Sequence, residues 1–422
     1  WQTGLIPVYL HDSFQSDPFF WGIKTIFTIH NLKFQGTWSV DTIKGFSGLS
    51  DYYFTSDKLE AYGNGNLLKG GLVYADRITT VSRSYASEIR MPFYGEGLDG
   101  LLRARSKQLS GIVNGIDYNV YNPKTDKDIA VNYSVEDAIK AKAANKTALQ
   151  KELGLEENPD AFMLGIVSRL TDQKGLDLVE CVLDQICAED VQLVVLGTGE
   201  GKYQDMFTYY SRKYPERVSA NIFYSEALSH RIYASCDAFL MPSLFEPCGL
   251  SQLMSLRYGT LPIVRETGGL RDTVTPYNEV DGTGTGFSFT NYNAHEMLAI
   301  IRYAKKTYFN DRKAWNEMVL RAMKQDFSWD ASAREYEKLY DGLIEEEERR
   351  KEAIRLQQAR EAAEAALKEA EKALELAKRA EEKAIRKFSG IEDEPEDEKA
   401  EISKAEEIDE TPEKAEETAV EE

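Results

Sequence analysis

The chain has 422 residues with 42% apolar and 11% aromatic content, enough for more than one buried core. Its formal charge of −20 is unevenly spread: residues 391 to 422 hold 16 Asp/Glu against 3 Lys, a net of −13, which leaves −7 for the other 390. No sustained Lys/Arg stripe occurs in residues 1 to 340 and no run of about 18 apolar residues occurs anywhere, which argues against a nucleic-acid partner, an anionic-membrane surface and a membrane-spanning helix.

The chain opens on Trp1-Gln-Thr-Gly-Leu-Ile-Pro-Val-Tyr-Leu10, a core-like stretch with no initiating Met, signal peptide or capping segment, and it reads as cut inside a domain. From there, short β-branched runs alternate with longer amphipathic ones. Strands are predicted at 24–29, 77–81, 162–167, 192–196, 219–224, 238–241 and 261–264, with helices between them at 176–186, 202–214, 229–235 and 251–258. Continuous apolar strands separated by helices predict α/β architecture with parallel sheets covered on both faces. The Ala/Lys-rich stretch 132–153 is helical in pattern and ends at Gly154, and Glu156-Glu-Asn-Pro159 reads as a linker. This gives a partial first domain over 1–155 and a second domain over 156–344. Cys181, Cys187, Cys236 and Cys248 lie in or beside apolar segments without C-x-x-C spacing, as for reduced thiols of a cytoplasmic compartment, so neither a disulfide framework nor a zinc site is expected. Residues 345–390 are rich in Glu, Ala, Lys and Arg and predict a charged helix, read either as a solvated helix or, over 345–388, as a helix that binds a protein partner. The acidic segment 391–422 is expected to be disordered.

Four stretches have the chemistry of a site that transfers a group from a nucleotide diphosphate. After the strand 162–167 come Arg169 and Lys174, a chelating guanidinium and a point charge five residues apart, suited to a diphosphate leaving group. Glu246-Pro-Cys-Gly-Leu-Ser251 places a carboxylate on a turn beyond the strand 238–241 and opens a helix whose N–H groups suit an anion. Thr267-Gly268-Gly269-Leu270 repeats that arrangement one strand later. His30 follows the first strand, where it is either a sugar contact or a structural histidine. Tyr224, ending its own strand, can stack on a base, and Asn114-Gly-Ile-Asp117 reads first as a turn.

Together and in this order, Phe27-Thr-Ile-His-Asn31, Asn114-Gly-Ile-Asp117, Ser168-Arg-Leu-Thr-Asp-Gln-Lys-Gly175, Glu246-Pro-Cys-Gly-Leu250 and Thr267-Gly-Gly-Leu-Arg-Asp-Thr-Val274 closely resemble the bacterial glycogen synthase and plant starch synthase family over 1–344. The resemblance implies a GT-B fold, two Rossmann-like domains facing a cleft, the first incomplete in this chain. It implies glucose transfer from ADP-glucose to the non-reducing end of an α-1,4-glucan with retention, with no metal and no cofactor besides the substrate. Carried over residue by residue, it implies Arg169 and Lys174 on the diphosphate, helped by Leu250, Ser251 and the turn at Thr267, Gly268 and Gly269. Glu246, with Cys248 and Gly249, orients the glucose and stabilises positive character at its anomeric carbon. His30 contacts the 6-hydroxyl, Asn114 the sugar, and Tyr224 the adenine. Met254 stands where many related retaining transferases carry a second Glu, which fits the starch synthase branch. The family's N-terminal Lys-x-Gly-Gly-Leu phosphate loop has no counterpart here, so the chain is expected to be inactive as it stands. The setting implied is the bacterial cytoplasm, or the plastid stroma for a plant protein.

Other readings fare less well. A glycoside hydrolase needs two carboxylates flanking one bond, and a phosphorylase needs a Schiff-base Lys for pyridoxal phosphate. The competing reading from another class is a non-catalytic glucan- or nucleotide-binding scaffold.

Overall fold

The computed structural model describes residues 1 to 390; the segment expected to be disordered, 391–422, lies outside the described residues. The chain divides into a large unit, Trp1–Leu343, and a second unit from Ile344.

The first half of the large unit runs α1 (Leu5–His11), β1 (Ile26–Ile29), β2 (Thr37–Trp38), α2 (Val40–Ser47), β3 (Glu60–Ala61), β4 (Asn64–Asn66), α3 (Leu67–Tyr74), β5 (Arg77–Thr80), α4 (Arg83–Glu88), α5 (Asp99–Ala104) and β6 (Leu109–Gly111). Strands β1, β5 and β6 form a parallel sheet in that order, with Ile29 beside Thr80 and Thr80 beside Gly111. That register sends the residues after each strand, His30, Ser82 and Asn114 among them, off one edge. β2, β4 and β3 make a small antiparallel sheet.

The second half runs α6 (Ala138–Leu153), β7 (Phe162–Val167), α7 (Leu176–Cys187), β8 (Val191–Leu196), α8 (Gly201–Lys213), β9 (Val218–Asn221), α9 (Glu226–Ser235), β10 (Ala238–Met241), α10 (Ser251–Arg257), β11 (Leu261–Arg265), α11 (Gly268–Thr273), β12 (Phe287–Phe289), α12 (Ala294–Asn310), α13 (Arg312–Met323) and α14 (Trp329–Phe388). Six parallel strands lie in the order β9-β8-β7-β10-β11-β12. The order reverses between β7 and β10, the place where a doubly wound sheet opens a crevice beyond its strand ends. The strands read as apolar runs because both faces are covered: β8 and β10 are buried along their whole length. α7 buries Leu176, Val179, Val182, Leu183 and Ile186 at helical spacing against this sheet.

Two buried lysines fasten α6. Lys146 Nζ lies 2.7 Å from Asp237 Oδ2, and Lys142 Nζ lies within hydrogen-bond distance of the carbonyls of Tyr233, Ala234 and Tyr258 and of Thr260 Oγ1. After α13 the chain returns to the first half. Ile116 N–H donates to the Phe327 carbonyl at 2.8 Å and Ser332 Oγ to the Val113 carbonyl at 2.7 Å. The backbones come so close that a Cβ on Gly115 would sit 2.5 Å from Trp329 Cα, which explains the glycine of the Asn-Gly turn.

Several elements differ from the sequence reading. The helix in 132–153 begins only at Ala138, and the helix expected from 345 is part of α14, which starts at Trp329. β9 stops at Asn221, because Asn221 Nδ2 turns to the Val195 carbonyl and Ser225 caps α9, so 222–224 becomes loop. Leu-Ser-Gly of β6 and Phe-Ser-Phe of β12 are strands too short to show an alternation.

In the second unit, helical residues 344–388 carry ion pairs one turn apart, among them Arg360–Glu364 at 2.9 Å and Arg379–Glu375 at 2.8 Å. Leu356, Leu367, Leu374, Leu376 and Ile385 are exposed. Among the described residues, no helix is long and apolar enough to cross a membrane.

Candidate active site

The loops after β7 and β10 meet at the reversal point. Lys174 ends a short 3-10 turn (Asp172–Lys174) closed by Gly175 in the left-handed region, where a Cβ would lie 2.0 Å from the Pro242 carbonyl oxygen. Only a residue without a side chain lets the loops close to this distance. Lys174 Nζ then lies 2.6 Å from Glu246 Oε2, which also accepts from Ser243 Oγ at 3.1 Å. Glu246 is 6% exposed, so its charge is held by a paired cation and a hydroxyl rather than by water.

The main chain of the Glu246 turn is held as closely as its side chain. Arg265, at the end of β11, donates to the carbonyls of Ser243 and Leu244 at 3.3 and 2.7 Å. Gln252 Nε2 donates to the carbonyls of Cys248 and Gly249, each at 3.0 Å, and Gly269 N–H to the Glu246 carbonyl at 3.0 Å. Burial pushes the Cys248 thiol up to about 12, even though it accepts from the backbone N–H of Asn114, so it is a neutral wall of the site at physiological pH.

Beside this turn is a cavity of about 270 Å³ lined by Arg169, Gly197, Tyr224, Ser251, Met254 and their neighbours. Of the expected residues, this cavity brings together Arg169, Ser251 and Tyr224; Lys174, Leu250 and the 267–269 turn are not in its lining. Arg169 is exposed, and Ser251 opens α10 with its hydroxyl on the Val167 carbonyl at 3.5 Å. Leu250 is exposed at the head of the same helix. Tyr224 is 86% exposed at the cavity rim and does not end a strand, which corrects the sequence reading.

From the first half, His30 is exposed at the end of β1. Its loop approaches the Glu246 turn: Lys33 Nζ stands 5.9 Å from the Phe245 ring centroid. Asn114 touches Cys248 through its backbone and lines a separate cavity of about 320 Å³ with Arg83, Asp272 and Ser332. Thr267, Gly268 and Gly269 require a correction. They are buried, Gly268 N–H and Thr267 Oγ1 are engaged by the Glu88 carboxylate, and Gly269 N–H by the Glu246 carbonyl, so this turn braces the site instead of offering free amides. Arg265, Ser82 and Glu88 were not among the expected site residues. A cation closing the apolar strand Leu261–Arg265 was the one visible signal.

Comparison with known proteins places the chain in a family. The family model described as starch synthase catalytic domain matches residues 1–104, and that of glycosyl transferases group 1 matches 147–319. A glycogen synthase of Lachnospira eligens is 68% identical over 343 residues, 81% of this chain and 72% of that protein. One from Clostridium acetobutylicum is 52% identical over 344 residues, 82% of this chain and 72% of its own. The catalytic domain of starch synthase IV from Arabidopsis thaliana, solved bound to ADP and acarbose, superposes with a TM-score of 0.77 at 33% identity, covering 82% of this chain and 72% of that one. Sucrose-phosphate synthase from Thermosynechococcus elongatus, at 18% identity and a TM-score of 0.51 over 81% of this chain and 72% of its own, shares the fold. With two nucleotide-binding-type sheets, the Glu246 and Lys174 loops at the reversal point and relatives of this closeness, the chain belongs to the glycogen synthase family of GT-B glucosyltransferases that make glycogen and starch.

Proposed function

We propose that the chain's site takes glucose from ADP-glucose and adds it to the non-reducing end of an α-1,4-glucan with retention of configuration. The observation that carries this is the buried Glu246–Lys174 pair, 2.6 Å apart at the strand-order reversal beside the Arg169 and Tyr224 cavity. Arg169 and Lys174 hold the diphosphate, where a fork and a point charge are strongest as negative charge grows on the departing ADP. Tyr224 stacks on adenine, and its exposed rim position leaves the ring free to do so. Ser251 and Leu250 line the phosphate side, and Cys248 and Gly249 form the wall beside the sugar.

As the bond from the anomeric carbon to the phosphate oxygen breaks, positive character builds on that carbon. The Glu246 carboxylate, fixed by Ser243 and Lys174, stabilises it without reorganising. The glucan hydroxyl forms the new bond and its proton leaves with the ADP. His30 holds the 6-hydroxyl and Asn114 the sugar from the first half. No metal or cofactor enters this scheme. The bacterial relatives support a bacterial cytoplasmic setting.

The test is Glu246→Gln in the full-length enzyme, followed with radiolabelled ADP-glucose and glycogen. Turnover is expected to fall by about 10² or more while ADP affinity by calorimetry stays within about twofold. Lost ADP binding with unchanged turnover would make Glu246 a structural turn residue.

A further inference from the structure

The side chain of Glu246 is oriented by its own half of the unit, through Lys174 and Ser243. Its height relative to the first half is set by a different group of contacts, chiefly from α4 and its Ser82 cap, beside the Asn114 N–H on Cys248 and Tyr94 OH on Arg265. Ser82, fully buried, caps that helix by accepting from Tyr85 N–H at 3.1 Å and in the same position donates to the Pro247 carbonyl at 2.6 Å. Two turns later, Glu88 accepts from Gly268 N–H at 2.9 Å and lies 3.2 and 3.3 Å from Thr267 Oγ1. Between them Ser84 donates to Asp272 through both its N–H, at 2.9 Å, and its hydroxyl, at 2.6 Å. Helices α4 and α11, one from each half, are thus laced along their length.

The lacing leads to the Glu246 turn. Gly269 N–H donates to the Glu246 carbonyl, and a Cβ on Gly268 or Gly269 would lie 1.9 or 2.0 Å from the carbonyl oxygens of Glu246 and Cys248. The turn at 267–269 therefore cannot shift without carrying Glu246 along. Ser82 reaches the same turn directly at Pro247, the next peptide group. Two anchors of the first half converge on the two successive peptides that follow the carboxylate-bearing residue.

We propose that Glu88 and Ser82 are positioning residues for the transfer step, setting the Glu246 carboxylate against the sugar held by the first half. Neither lines the cavity of Arg169, Tyr224 and Ser251, so nucleotide binding does not depend on them. A displacement on the order of 1 Å at reacting atoms costs about 10² in rate, and a loss confined to the transfer step leaves ADP affinity untouched. The role separates from a purely structural one on that ground.

The inference rests on Glu246 acting at the anomeric carbon, and the experiment keeps the two ideas apart. In the full-length enzyme, Glu88→Ala is expected to lower kcat by about 10- to 100-fold, with ADP affinity within about twofold and the melting temperature little changed. Glu88→Gln keeps an oxygen acceptor for Gly268 N–H and is expected to recover kcat to within about fivefold of the parent. Ser82→Ala, which loses the Pro247 contact, repeats the kcat effect and decides the matter should Glu88→Ala fail to fold. A kcat within about twofold of the parent in Glu88→Ala, or a fall matched by equal losses of ADP affinity and thermal stability, overturns the proposal. With Glu246→Gln in parallel, an inactive Glu246 variant beside a fully active Glu88→Ala rejects the positioning role alone, whereas an active Glu246→Gln rejects the reading on which it rests.

Discussion

Gly268 concentrates the site's constraints at one residue. Its φ of +46° lies in the left-handed region, and an added Cβ would meet the Glu246 carbonyl oxygen at 1.9 Å. Gly268→Ala must displace the turn that carries Glu246, so kcat is expected to fall by about 10² or more. At Gly201, where nothing lies within 4 Å of the added atom, the same change is expected to leave kcat unchanged and stabilise by about 0.5–1 kcal/mol. Steady-state kinetics and urea unfolding on the two variants check both halves of this statement. The same residue shows where sequence reading stops. Gly268 stands out as a turn glycine, but its N–H reads as free because the carboxylate that takes it belongs to Glu88, 180 positions earlier. Glu246 and Lys174 are legible for the opposite reason: each follows a continuous apolar strand whose end can be located from the sequence.

Elements were legible in proportion to how much of their pattern is local. β7 and β10 are continuous apolar runs bounded by polar residues and keep their expected limits, while β6 and β12, with three residues each, exist only through pairing with β5 and β11. α6 carries a property that no pattern reveals. Burial pulls Lys142 down from an ordinary 10.5 to about 7, with Asp237 opposing. Between those two values the unfolded chain holds a proton that the folded protein has released. Stability therefore rises with pH from about 7 towards 10.5, by at most about 1.4 kcal/mol per pH unit, and the penalty is complete below pH 7. Lys142→Met is expected to flatten this rise, which urea titrations of both proteins at pH 7 and pH 9 will show.

At the scale of the molecule, charge and connectivity matter most. Residues 391–422 hold −13 of the −20 net charge, and the proposed donor is itself an anion. Removing them is expected to lower the donor KM roughly twofold at low ionic strength, with the difference gone at about 0.5 M salt. The KM for the uncharged glucan stays the same in kinetics at both salt concentrations.

The chain passes between the halves of the large unit twice, outward after β6 and back at Phe327–Ser332, with Tyr118 OH accepting from Phe327 N–H and donating to the Gln325 carbonyl where the two passages touch. A single tether lets two bodies swing and twist about a point. Two covalent passages side by side define a line, and relative motion of the halves reduces to rotation about it. Opening the crevice to admit a donor then requires one coordinate, along which the loop after β1 moves relative to the loops after β7 and β10.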